Sequence, residues 1–216
     1  MGTNDWILSL ERRLSDRLPG RTAHRRLAPS LAYGRHTGPP AASAKPAAVA
    51  LLLYPTRQGE WRFPLTVRPQ HMKAHAGQVC LPGGVVECRE SPELCAIREA
   101  EEELGISAGD LRRLGNLSPI YVFGTNFLMQ PVVFVADREL EWHPSPAEVD
   151  HVLEMPLREF LRLPEPESVP MERDGLRFRS PAWKWQDVLI WGATAMVLAE
   201  WQEILQAETS LGCPPA

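Results

Sequence analysis

The chain has 216 residues, enough for one domain with a substantial buried core. Its net charge of −4 gives no ground for wholesale binding to nucleic acid or to an anionic membrane. No apolar run reaches the length of a transmembrane helix, and the first residues lack the apolar core of a secretory signal.

Trp6, Ile7, Leu10, Leu14 and Leu18 repeat at helical spacing, which predicts an amphipathic helix from Trp6 to Leu18, ended by Pro19-Gly20. Arg21 to Pro46 is rich in Arg, Gly, Pro and Ala and reads as a long loop. It holds Arg21, Arg25, Arg26, Arg35 and Lys45 with no acid between 21 and 45, and such a cluster suits a phosphate group. Ala47 to Tyr54 reads as a buried strand and Trp61 to Arg68 as a second, with a turn near Gln58-Gly59 and an edge or bulge at Pro64. His75 to Cys80 is expected as a strand leading to Gly83-Gly84, a flexible pair. Further strands are expected at Leu114 to Pro119, Phe127 to Val135 and Val149 to Met155. A short helix is expected at Leu157 to Leu163, a hairpin around Asp174-Gly175, and a last helix from Asp187 to Gln206. Cys80, Cys88, Cys95 and Cys213 show neither zinc-like pairing nor a disulfide pattern. Reduced thiols in a cytoplasmic protein follow.

The segment from 84 to 106 carries the chemistry. Gly84 is followed after five residues by Glu90, and after seven more by Arg98-Glu99-Ala100-Glu101-Glu102-Glu103-Leu104-Gly105-Ile106. Ser91 is a good N-cap, Pro92 suits a first turn and Gly105 suits a C-cap, so Ser91 to Leu104 is expected as a helix. Leu94, Ile97 and Leu104 would bury one face. Glu99, Glu102 and Glu103 stand at i, i+3 and i+4, neighbours on one side. Three neighbouring carboxylates repel one another unless a cation lies between them, and Mg²⁺ or Mn²⁺ favours such oxygens.

At every fixed position this segment resembles the Nudix box, G-x5-E-x7-R-E-U-x-E-E-x-G-U with U apolar. The resemblance implies an α/β fold, the Nudix α/β/α sandwich with a mixed sheet, and metal-dependent hydrolysis of a diphosphate linkage in a small nucleotide substrate. It also implies that Glu99, Glu102 and Glu103 hold Mg²⁺ or Mn²⁺, that the Gly84 carbonyl adds an oxygen, and that Arg98 and Glu90 brace the loop against the helix and orient those ligands. Glu101 falls on the free position and reads as a solvated charge. Glu148, in Pro146-Ala147-Glu148-Val149, is the candidate base outside the box.

Upstream, Leu65-Thr66-Val67-Arg68 through Gly77 to Pro82-Gly83-Gly84 is similar to the signature of coenzyme A pyrophosphatases. It departs at Pro64, Pro69, Lys73 and Leu81. Ile190-Trp191-Gly192-Ala193-Thr194-Ala195 looks like the I-W-G-x-T-A stretch of the same group, though its helical spacing also fits plain packing. Arg68, Lys73, Gly83, Gly84 and Arg26 are the candidate substrate contacts. Three readings stay open: hydrolysis of coenzyme A or acyl-CoA; Nudix hydrolysis of ADP-ribose, a dinucleotide or a nucleoside triphosphate; and a silent nucleotide-binding module. The family resemblance also allows a homodimer, with Trp183, Trp185 and Trp201 as exposed rings. The chain divides into an N-terminal helix and basic loop packing on the core at 1–46, the main domain at 47–206, and a disordered tail at 207–216.

Overall fold

The protein is described by a computed structural model that covers residues 3–30, 39–72, 75–173 and 175–209. A mixed sheet forms its centre, and β1 (Lys45–Pro55) and β7 (Phe127–Val135) lie parallel in the middle of it. The path across the sheet runs β3 (Val79–Cys80), β2 (Trp61–Val67), β1, β7, β5 (Arg112–Asn116). Three further strands join the sheet off this path: β4 (Gly83–Val85) on β1, β6 (Ile120–Val122) on β7 and β8 (His151–Pro156) on β2. All pairs other than β1–β7 are antiparallel.

Alternation along β1 explains the layers, because successive side chains of a strand face opposite sides. Ala48, Ala50 and Leu52 pack with Cys95, Ala96, Ala100 and Leu104 of α3 (Pro92–Leu104), together with Val132 and Phe134. Leu51, Leu53, Val133 and Val135 face the other way, into a larger core. That core includes Leu10 and Leu14 of α1 (Thr3–Ser15) and Val197, Leu198 and Trp201 of α5 (Gly192–Thr209). A strand covered on both faces reads as a continuous apolar run. The expected α/β sandwich is therefore present.

Several elements differ from expectation. Arg21–Leu27, expected as loop, forms a short helix α2 (Arg21–His24) and a 3-10 turn, and buries Ala23, His24 and Leu27. The expected strand from His75 shrinks to Val79–Cys80, because His75 and Gly77 both take positive φ and turn the chain. The expected last helix begins five residues late. Val188–Trp191 is a strand, β11, and Gly192 at φ 64 makes the corner into α5. The β-branched and aromatic content of Val-Leu-Ile-Trp suits that strand. At its other end α5 runs to Thr209, past the expected boundary at Gln206.

β11 joins β10 (Leu176–Trp185) and β9 (Glu167–Arg173) in a separate antiparallel sheet. α4 (Leu157–Leu161) follows β8. Pro64, expected at an edge or bulge, instead lies inside β2, registered with Glu154 of β8 in the gap between the residues registered with β1 and those registered with β3. Trp183, Trp185 and Trp201 are buried, not exposed, so they give no support to a dimer face.

Candidate active site

β4 brings the start of the box against β1, pairing Gly84 with Ala48 and Gly83 with Val49. These glycines are strand residues, not a hinge. Gly83 is needed for close approach, since a Cβ there would run into the Ala48 carbonyl and the Val49 backbone, while one on Gly84 would press on the end of the Glu99 side chain. The helix then starts as expected. The Ser91 hydroxyl accepts from the Leu94 N–H at 3.2 Å, and Gly105 ends the helix in the left-handed region at φ 67. The buried face, however, is formed by Cys95, Ala96, Ala100, Glu103 and Leu104, while Leu94 is exposed. Small residues there let α3 lie close to the sheet.

Arg98 fastens the loop to the helix. Its guanidinium gives two hydrogen bonds to Glu90, at 3.0 and 3.2 Å, and one at 3.3 Å to the Val85 carbonyl. It also reaches Glu99 at 2.8 Å and Glu102 at 3.1 Å. Glu90 in turn accepts from the Glu87 N–H, and these donors hold its carboxyl below the usual range. Arg98 thus links the Glu90 loop and the end of β4 to α3.

Glu99, Glu103 and Glu148 converge, each offering a carboxylate oxygen within 4.8 Å of the other two. Glu148 comes from the 143–150 loop, which the helix end itself positions. The His143 N–H donates to the Leu104 carbonyl at 2.8 Å and the Ser145 N–H to the Glu103 carbonyl at 3.0 Å. Two of the orphan carbonyls at the end of α3 are satisfied this way. Glu103 is buried, and its desolvation pushes its pKa up to about 7 despite nearby Arg68 and the Gly83 N–H. Burial also raises Glu99, and neighbouring Glu102 and Glu148 add to the effect while Arg98 opposes it. Such a cluster holds its charges at a cost that a hard divalent cation would offset, so the donor set fits one.

Glu102 lies on the same helix side but points to Arg98 and is 57% exposed, outside the trio. The Gly84 carbonyl faces the Cys95 thiol at 3.7 Å. Glu101 accepts from the Ala108 N–H at 2.8 Å and so caps the following turn. Arg68 enters the site from the end of β2. Burial works against its charge, but Cys80, Glu103 and Glu148 outweigh it and hold its pKa above the ordinary value. Arg26 does not enter the site. It sits in the 3-10 turn packed on α5, across the sheet from α3, with Glu165 at 3.8 Å. Lys73 and Arg35 lie outside the described residues. Thr194, which the I-W-G-x-T-A resemblance singles out but the candidate contacts omit, lies beside Val79 and Cys80 of β3. The Thr194 hydroxyl donates to the Val79 carbonyl at 3.1 Å.

The NUDIX domain model matches residues 44–173, from the start of β1 to the end of β9. The chain belongs to the Nudix family. It is 36% identical over 143 residues to an uncharacterized Nudix hydrolase NudL of Photorhabdus laumondii, covering 66% of this chain and 76% of that one. A NudL of an Enterobacter species is 36% identical over 152 residues, covering 70% and 79%. Among solved structures, the Nudix hydrolase RenU of M. smegmatis shares the fold with a TM-score of 0.53 at 18% identity, covering 79% of this chain and 89% of that one. This Nudix chain is accordingly a pyrophosphatase, a hydrolase of a pyrophosphate bond in a nucleotide derivative. No helix among the described residues is long and apolar enough to cross a membrane.

Proposed function

We propose that this Nudix hydrolase splits the diphosphate of coenzyme A or an acyl-CoA into adenosine 3′,5′-bisphosphate and 4′-phosphopantetheine or its acyl form. The observation that carries the reading is the convergence of two segments similar to coenzyme A pyrophosphatases. Thr66 on β2 stands across from Cys80, Arg68 just past the end of β2 bonds to Gly77 and Gln78 of the same hairpin, and Thr194 of the last helix bonds to Val79 on β3. Arg68 supplies a guanidinium beside the carboxylates, suited to a phosphate oxygen of the substrate.

Glu99, Glu103 and Glu148 would hold Mg²⁺ or Mn²⁺. Glu102, kept aside only by an exposed pair with Arg98, is the fourth carboxylate at hand. Bound there, the cation would polarise the phosphoryl oxygens and make a water acidic enough to attack. Glu148 gives one oxygen to the cluster and keeps the other for the proton of that water. The water oxygen bonds to one phosphorus, the bond from that phosphorus to the bridging oxygen breaks, and the proton passes from Glu148 to solvent. Arg98 and Glu90 keep the helix carboxylates in place. Free Cys80, Cys88 and Cys95 support a cytoplasmic setting.

Mass spectrometry of products tests the substrate. The protein is incubated with Mg²⁺ or Mn²⁺ and a mixture of coenzyme A, ADP-ribose, NADH, diadenosine polyphosphate and nucleoside triphosphates. The expected product is 4′-phosphopantetheine. Selective loss of another component would replace coenzyme A with that substrate class. Nucleotide-induced thermal stabilisation without turnover would favour a silent binding module.

A further inference from the structure

We propose that Thr194 is a positioning residue for Arg68, acting through the short edge strand β3. The inference rests on the proposed hydrolytic site and adds a residue that touches neither substrate nor cation.

β3 has only two residues and stands at the end of the sheet path, with β2 as its neighbour. So short an edge strand holds its place poorly by ladder bonds alone. It nevertheless sets two parts of the site. On one side Arg68 is tied to the β3 hairpin, its N–H donating to the Gln78 carbonyl and its carbonyl accepting from the Gly77 N–H, both at 3.0 Å. On the other side the chain leaves β3 for Gly83, whose N–H meets Glu103. The outer side of β3 is closed by the corner between β11 and α5. There Gly192 at φ 64 turns the chain so that Thr194 donates its hydroxyl to the Val79 carbonyl. Cys80 follows Val79 on β3 and is registered with Thr66 of β2. Thr194, the β3 hairpin and Arg68 thus form a continuous line from α5 toward the carboxylates.

The test compares Thr194→Val, which keeps the shape and removes the hydroxyl, with Thr194→Ser, which keeps the hydroxyl. With coenzyme A and Mg²⁺, Thr194→Val is expected to raise KM roughly tenfold, the scale of one lost hydrogen bond, with a smaller change in kcat. Thr194→Ser is expected to restore KM. The alkylation rate of Cys80 by iodoacetamide, read by mass spectrometry, should rise in Thr194→Val and return in Thr194→Ser, since the loosened strand exposes the thiol. Wild-type KM in Thr194→Val would overturn the proposal. So would equal loss of activity in both variants alongside a fallen Tm, which would mean a packing role only. If the wild type leaves coenzyme A intact, the substrate reading fails by itself. The alkylation rate, which needs no turnover, then decides: faster labelling restored by Ser supports the role of Thr194, and unchanged labelling ends it.

Discussion

Glu103→Gln is expected to lose at least about a hundredfold in turnover while the metal-free protein stays as stable as the wild type or gains stability. The first half follows from its place in the trio, since even groups one step removed from a bound metal cost about 10–100-fold when changed. The second half follows from burial. Desolvation holds the Glu103 pKa at about 7, so without a cation the folded protein resists ionising it. The sign is that of a raised carboxyl. Its protonated form favours folding below the ordinary value near 4.5, and that contribution fades as pH rises through about 7. Glutamine mimics the protonated form at every pH. Thermal melts of both proteins at pH 7, with and without Mn²⁺, check this: Mn²⁺ should raise the Tm of the wild type and leave the variant unmoved. A variant with near-wild-type turnover would remove Glu103 from the working set.

The largest expected loss of stability lies far from the carboxylates, at Glu200. Its carboxylate is fully buried on α5 and accepts from the Gly20 N–H, the Ser118 N–H, the Ser118 hydroxyl and His24 Nε2, at 2.6 to 3.0 Å. These groups tie α2 and the 117–118 turn to the last helix. Burial alone would raise the Glu200 pKa, but the donors from His24, Ser118 and Gly20 outweigh it and lower it. Glu200→Ala leaves those donors buried without a partner, which costs about 3–5 kcal/mol. For a chain of this size the Tm should fall by roughly 10 °C. Because the folded pKa is lowered, the contribution is present above the unfolded value near 4.5 and disappears as pH falls through the folded one. Urea unfolding at pH 7 and pH 4 separates the cases. The gap between wild type and variant should narrow at pH 4, and an equal gap at both would show that packing alone is lost.

Glu200 also shows where sequence reasoning stops. A lone glutamate among Ala199 and Trp201 gives no periodic signal, and its partners at Gly20 and Ser118 are far away in the chain. Arg21–Leu27 reads as a basic loop because its arginines dominate the composition, yet Ala23, His24 and Leu27 are what pack. The box helix, by contrast, is legible to its caps, because Ser91 and Gly105 act through local geometry. Its buried face is not, since spacing alone cannot tell Leu94 from Cys95 without the sheet in place. Glu148 could be named as a candidate, but only the loop anchored on the Glu103 and Leu104 carbonyls brings it to Glu99 and Glu103. Arg26 illustrates the reverse: the charge suits a phosphate, while the fold puts it on the α5 side of the sheet.

The claim at the centre is that carboxylates from two separate elements form one cation site for diphosphate hydrolysis. Mn²⁺ titration followed by electron paramagnetic resonance, on the wild type and Glu148→Gln, tests it most directly. Glu148 is exposed, so the variant should fold normally. Affinity at least about tenfold weaker, matched by a loss of turnover, is the predicted result. Unchanged Mn²⁺ binding together with unchanged turnover would contradict it, and would leave the box helix to hold the cation without the 143–150 loop.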